Sequence, residues 1–213
     1  KKFGTSSLYL DGIGDNATLG ANDGSSFAWG NSSWGIECWV RPDSGSFSAI
    51  QMIFDSNGVI YLQINTDGKV VVRNKKASDS SEFATITTTQ ALTVDTWHHI
   101  AAVRNGNDFK VYIDGTSYGN ATASDTIKTA TAASTIGEYE SGSSQYFKGY
   151  MDEFRITIGE APYTANFTPA TTAFPTPYKI TNYGSLTSGD AYKFGARQGG
   201  VAGGTSNHAD PVF

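Results

Sequence analysis

Thr96-Trp-His-His-Ile-Ala-Ala-Val-Arg104, Asn105-Gly-Asn-Asp108 and Phe109-Lys-Val-Tyr-Ile-Asp-Gly115 run on without a break. Two apolar-rich runs flank a turn built from residues that tolerate positive φ, which is a β-hairpin signal. In the second run Phe109, Val111 and Ile113 alternate with Lys110, Tyr112 and Asp114. A period of two buries one face and leaves the other wet. Asp114-Gly115 marks the next reversal.

The same pattern recurs along the chain. Strands are predicted over Ser7–Leu10, Ala17–Leu19, Gly35–Arg41, Ala49–Asp55, Val59–Asn65, Lys69–Arg73, Phe83–Thr88, Trp97–Arg104, Phe109–Asp114, Ser134–Glu138 and Gly149–Ile158. Asp11-Gly12, Asn57-Gly58, Asp67-Gly68, Asn105-Gly106 and Asp114-Gly115 punctuate them. No long apolar stripe has helical spacing. Strands without intervening helices predict an all-β sandwich or jelly roll rather than a parallel α/β sheet.

The 213 residues suffice for one large sandwich with a proper core. Lys and Arg number 15 against 20 Asp and Glu, a formal charge of −5. Such a balance carries no basic footprint for nucleic acid. No apolar run reaches the roughly 18 residues of a bilayer span, so no membrane insertion is expected. Charged residues are only 16%, and Gly, Ser, Thr and Asn are abundant, a composition of short strands and polar turns common on secreted or particle surfaces. The single Cys38, within Trp34-Gly-Ile-Glu-Cys-Trp-Val40, reads as a small buried hydrophobe. The first residue is Lys and no signal peptide is visible, as in a processed product or an excised part of something larger.

From Pro162 onward Pro169, Pro175 and Pro177 interrupt the alternation, because Pro cannot donate to a ladder. Two parts follow: a jelly-roll domain over 1–177 and a Gly-rich arm over 178–213. The arm is expected to pack outside the sandwich, largely without regular structure, and to take its order from another subunit. Ile180, Tyr183, Leu186, Tyr192, Phe194, Val212 and Phe213 are its apolar anchors.

Five segments carry a family resemblance: Ser7-Leu-Tyr-Leu-Asp-Gly12, Trp34-Gly-Ile-Glu-Cys-Trp-Val-Arg-Pro42, Asp95-Thr-Trp-His-His-Ile-Ala-Ala-Val-Arg104, Val111-Tyr-Ile-Asp-Gly115 and Gly149-Tyr-Met-Asp-Glu-Phe-Arg-Ile156. In this order they resemble the laminin G-like domains of the concanavalin A-like lectin/glucanase group, over about residues 4–175. Ala161-Pro-Tyr-Thr-Ala-Asn-Phe-Thr-Pro169, followed by Ala-Phe-Pro, is similar to the version common in marine phage structural proteins. The resemblance implies a two-sheet antiparallel jelly roll, and usually a module that binds glycans or other surface ligands, on an extracellular or virion surface.

Pentraxins share this architecture and build a double calcium site from two loops. The resemblance implies calcium ligands at Asp55 and Asn57 and at Glu138, Glu140 and Gln145, since calcium takes six to eight oxygens. Ser56 splits the first pair and Tyr139 splits the second cluster; both groups read equally as polar turn residues. Asp11, Asp15 and Asp152 offer a second cation position between the first and last strands, or simply a turn and a strand end. His98 and His99 project to opposite faces of a strand and cannot chelate one ion, so a structural role is expected. Trp39 and Trp97 fall inside strand patterns and are expected in the core. Tyr139 and Tyr146, in a loop beside the acidic cluster, are the residues suited to stacking on a sugar ring.

Glucanases share the fold, but Met151-Asp152-Glu153-Phe154 lacks the alternate carboxylates of laminarinase-type hydrolases. Asp152 and Glu153 are adjacent and expected on opposite faces. No nucleophile elbow, His-Glu-X-X-His or phosphate loop occurs. The leading expectation is a non-catalytic carbohydrate-binding or adhesion module. The alternatives are a structural decoration or filament protein assembling as a homo-oligomer through 178–213, and a degenerate glycoside hydrolase.

Overall fold

The computed structural model describes residues 1–19, 27–139 and 145–174, and the backbone of 191–193. Thirteen strands occur among the described residues: β1 Leu8–Asp11, β2 Ala17–Leu19, β3 Trp34–Pro42, β4 Gln51–Asp55, β5 Ile60–Ile64, β6 Lys69–Lys75, β7 Glu82–Ala91, β8 His98–Asn105, β9 Asp108–Ile113, β10 Thr116–Thr122, β11 Ser134–Ile136, β12 Lys148–Ile158 and β13 Ala191–Lys193. The one helical element among them is a 3-10 turn at Ser46–Ser48. The first sheet runs β1-β12-β3-β8-β9-β10, with β13 also beside β12; the second runs β2-β11-β4-β5-β6-β7. All pairings are antiparallel. The all-β, two-sheet jelly roll expected from the sequence is therefore present.

The β8–β9 hairpin forms as its turn chemistry requires. Asn105 pairs with Asp108, leaving Gly106 and Asn107 as the loop, with Gly106 at φ +60°. Inward-facing Ile36, Cys38 and Val40 of β3 meet Ile60, Leu62 and Ile64 of β5, with Val111, Ile156 and the fully buried Trp29 and Trp34, in one core between the sheets. Burial of this kind contributes about 1.5–3 kcal/mol for each large apolar side chain.

One strand within the domain escapes the alternation rule. β10 is Thr-Ser-Tyr-Gly-Asn-Ala-Thr, an edge strand without a fully buried side chain. It is held by its ladder to β9, interrupted by a bulge between Ser117 and Gly119. β13 lies in the Gly-rich arm. Its three residues pair with Arg155, Ile156 and Thr157 of β12, beyond the stretch that β1 occupies. This corrects the expectation that the arm packs outside the sandwich, for these residues; the remainder of 178–213 lies outside the described residues.

A second bulge corrects the orientation of Asp152 and Glu153. Register shifts between Asp152 and Arg155, and Glu153 adopts φ +52°. Met151 and Phe154 both face the core, so the two acids between them project from the same, outer side. A bulge places an extra residue in one strand and re-aims its side chain.

The outer face of the first sheet is closed along one half by a strap, residues 159–174. Tyr163 and Phe167 stack at 3.5 Å with planes 4° apart and cover Ala101, Val103 and Tyr112. Two glycines admit this strap: a Cβ on Gly35 would lie 2.3 Å from Pro162, and one on Gly115 would lie 1.9 Å from the Phe167 carbonyl oxygen. Beneath it lies a buried polar cluster. Glu37, 1% exposed, accepts hydrogen bonds from His99 Nε2 (3.1 Å), the Tyr163 hydroxyl (2.7 Å) and Arg155 Nε (2.5 Å), and is ion-paired with Arg155. Burial by itself would raise the Glu37 pKa. The His99 hydrogen bond, the Arg155 charge and the Tyr163 hydroxyl outweigh it and hold the carboxyl below its ordinary value.

Candidate functional site

The two loops expected to bear calcium arise from adjacent strands. β4 ends at Asp55, whose backbone stands opposite both Tyr61 of β5 and Thr135 of β11. Asp55 is fully buried, and its Oδ1 accepts the Gly58 N–H at 2.7 Å. Asn57, at φ +49°, accepts from Thr131 N, Thr131 Oγ1 and Ala132 N through a single oxygen. These side chains brace the β4–β5 turn against the approach to β11.

β11 runs antiparallel to β4, so the loop after it leaves from the other end of this ladder. Glu138 Oε2 accepts from Asn16 Nδ2 at 2.5 Å, and its carbonyl accepts from Thr135 Oγ1 at 2.6 Å. Glu138 also bridges Tyr146 through the backbone. Gln145 and Tyr146 are half-buried there; Glu140 lies outside the described residues.

The excursion nevertheless folds back. Tyr139 reaches Tyr61, with hydroxyls 3.4 Å apart and ring centroids 5.5 Å apart at 32°. Tyr61 faces outward, because its neighbours Ile60 and Leu62 face the core. Lys75 Nζ stands 5.5 Å above its ring. Tyr61 is a member of this site that sequence reasoning missed: within Val59–Asn65 it reads as one more alternating strand residue. Burial pushes its phenol pKa up, reinforced by the Tyr139 hydroxyl and the charges of Asp55 and Glu82, so the group is a neutral hydrogen-bonding phenol at ordinary pH.

The expected calcium set is incomplete among the described residues, since Glu140 lies outside them. Asp55, Asn57 and Glu138 already serve polypeptide donors and stand at two ends of a ladder. Among the described residues no three His, Cys, Asp or Glu gather as a metal-binding group. Asp152 is kept apart from Asp11 and Asp15. β1 and β12 are neighbours, as expected, but Asp11 pairs with Lys148 at one end of their ladder and Asp152 lies past the Leu8–Met151 pair at the other. Asp15 Oδ2 accepts from Asp11 N, and Asp152 Oδ2 accepts from Lys2 and Phe3 N.

His98 and His99 are structural. His98 Nδ1 donates to Asp114 Oδ2 at 2.8 Å while Nε2 accepts the Thr93 N–H at 3.1 Å; His99 belongs to Glu37. The tryptophans divide differently from expectation. Trp39 lies on the outer face under Phe3, with Lys2 Nζ 3.8 Å from its ring centroid. Trp97, expected in the core, is half-buried beside Tyr150, 6.4 Å between centroids. It precedes β8, where the sandwich no longer covers it.

What this arrangement does chemically is hold and stack. Asp152 Oδ1 accepts the Glu153 N–H and Glu153 Oε2 accepts the Phe174 N–H, so both carboxylates pin backbone.

The laminin G-like sequence family described as the concanavalin A-like lectin/glucanases superfamily matches residues 5–159. Among curated protein sequences none matches. Similar solved structures include mouse laminin alpha1 domains LG4-5, at 20% identity over 81% of this chain and 47% of that one, with a TM-score of 0.55. The binding domain of Paraclostridial Mosquitocidal Protein 1 is similar at 16% identity over 70% of this chain and 39% of that chain, TM-score 0.57. The Ruminococcus gnavus IT-sialidase CBM40 bound to alpha2,3 sialyllactose gives 12% identity over 71% and 89%, TM-score 0.55. The chain thus spans less than half of the first two. At these identities the likeness is one of fold.

Proposed function

Because the chain belongs to the concanavalin A-like lectin/glucanase superfamily, we propose that it is a non-catalytic carbohydrate-binding or adhesion module of an extracellular or virion surface. The observation that carries this reading is half-buried Tyr139 on the outer side of the second sheet, backed by Tyr61, itself only 5% exposed, with Glu138 and Asn16 on the same loop system. Aromatic faces take the apolar side of a sugar ring, and amide and carboxylate edges take its hydroxyls. Tyr146 borders the same loop. A sialyllactose complex on the same fold supports the ligand class. Among the described residues no helix is long and apolar enough to cross a membrane.

Calcium at Asp55, Asn57, Glu138, Glu140 and Gln145 stays a proposal within this reading. Glycan-array binding with calcium and with chelator tests both parts. Binding that Tyr139→Ala weakens about tenfold, the effect of one aromatic contact, supports the site. No saccharide binding in either condition overturns the reading.

The alternative, a structural decoration or filament protein assembling through 178–213, needs the arm to reach a neighbour. The arm residues that are described pair with this chain's own β12.

A further inference from the structure

The outer face of the first sheet is covered unequally. The strap closes the half that contains Glu37, Ala101 and Tyr112. Lys2 and Phe3 close the row at Trp39. Among the described residues nothing closes the next row in the same way. Tyr9 pairs with Tyr150, and Tyr150 pairs with Arg41. Val40 pairs with His98, so Trp97, one residue further out, comes beside Arg41. Tyr9, Tyr150, Arg41 and Trp97 therefore form one line across β1, β12, β3 and the entry to β8. Three inter-strand steps of about 4.8 Å give it a length of ~14 Å, room for a short oligosaccharide rather than a single ring.

The members of the line hold one another. Tyr9 and Tyr150 lie 4.8 Å apart between centroids and tilt by 47°. Trp97 is 6.4 Å from Tyr150 on its other side, and the Arg41 guanidinium is 5.5 Å from the Tyr150 centroid. Arg41 is fixed between two carboxylates, Asp43 at 3.3 Å and Asp95 at 3.0 Å. Tyr9, 46% exposed, and Ile13, 81% exposed in the turn after β1, are the most exposed large apolar side chains among the described residues. Both lie at this end of the sheet.

We propose that Tyr9, Tyr150 and Trp97, with Arg41, Asp43 and Asp95 at their edge, form a second saccharide-binding surface that accepts a neutral oligosaccharide. A sugar ring has an apolar C–H face and a rim of hydroxyls that both donate and accept. The line offers aromatic faces of matching character. Its rim offers guanidinium donors and carboxylate acceptors, already oriented by their mutual ion pairs. One cation against two anions leaves the rim negative overall, which disfavours sialylated, uronic or sulfated chains. The ligand class rests on the reading above; the surface is a different one, on the opposite sheet from Tyr61 and Tyr139.

The test uses the full chain and a panel of neutral hexasaccharides (β-1,4-glucan, β-1,3-glucan, xylan, arabinan and α-mannan fragments) with acidic oligosaccharides beside them. Affinity is read by calorimetry, and contact with Trp97 by fluorescence, since Trp29, Trp34 and Trp39 are buried. Tyr9→Ala removes an exposed ring and keeps the fold; Trp97→Ala removes the other end of the line. The expected result is that a neutral oligosaccharide binds, shifts the tryptophan emission, and loses about tenfold in affinity in each variant. Losses in both variants and in Tyr139→Ala mean two saccharide surfaces and support the inference. Loss in Tyr139→Ala alone overturns it and leaves the function proposed above standing. Binding of acidic oligosaccharides only also overturns it alone. No binding to any saccharide overturns both.

Discussion

The Tyr163 hydroxyl donates a 2.7 Å hydrogen bond to Glu37 Oε2, tying the strap to β3 across 126 residues of sequence. The bond lies under the stacked Tyr163–Phe167 pair, where Glu37 is removed from water. The strap is thus part of the domain's polar interior as well as its cover.

Tyr163→Phe removes that donor and leaves a buried carboxylate oxygen one partner short. The cost of such a loss is about 1–3 kcal/mol. Urea unfolding monitored by fluorescence should show a lower midpoint with an unchanged slope. A midpoint equal to that of the parent protein would mean that the bond contributes nothing.

Stability should fall in acid, with Glu37 a principal cause. Its folded pKa lies below the ordinary 4.5. Its contribution is therefore complete above that value and is lost as pH drops through the lowered folded value. Asp114 acts in the same direction: burial would raise it, but the hydrogen bonds from His98 and from the His99 amide outweigh that and lower it. Glu37→Gln cannot titrate, so its unfolding free energy should change less between pH 6 and pH 3, a window that spans the ordinary values 4.5 and 3.8, than that of the parent. Parallel profiles would assign the acid sensitivity elsewhere.

Gly115→Ala should loosen the strap. Gly115 has φ +78° and faces the Phe167 carbonyl, so a methyl group meets both backbone strain and a direct clash. Strain alone costs about 1–2 kcal/mol. Faster proteolysis within 159–174 is the expected readout; protection equal to the parent's would be incompatible with the close approach.

Cys38 should be inert in the folded protein. It is fully buried, and burial, with Glu37 nearby, pushes its thiol pKa up. A thiol reagent such as DTNB should react at the rate of global unfolding, accelerating with urea. Rapid labelling in buffer would contradict the packing of β3.

Much of the fold was legible because its signals are local. Asn105-Gly106 and the alternation of Phe109, Val111 and Ile113 specify a hairpin within a few residues of themselves. β10 was not legible, because an edge strand with a polar exterior buries too little to alternate. The site was read less completely than the fold. Tyr139 could be picked out from its loop, but its partner Tyr61 is 78 residues away in sequence, and no local pattern distinguishes it from other outward strand residues.

The residues by themselves determined that this chain forms two antiparallel sheets around an apolar core, since turn propensity and a period of two act between neighbours. Only the tertiary structure decided which outward side chains meet. Register aligns Tyr9, Tyr150 and Arg41 in one row, and it keeps Asp11 from Asp152 on adjacent strands. The bulge at Glu153 turns two adjacent acids to one side, and the strap buries Glu37 with partners from β8, β12 and its own length. Each depends on how distant segments align once the core has formed. A shift of one residue in a strand exchanges its two faces, so a surface that binds is specified by register rather than by composition.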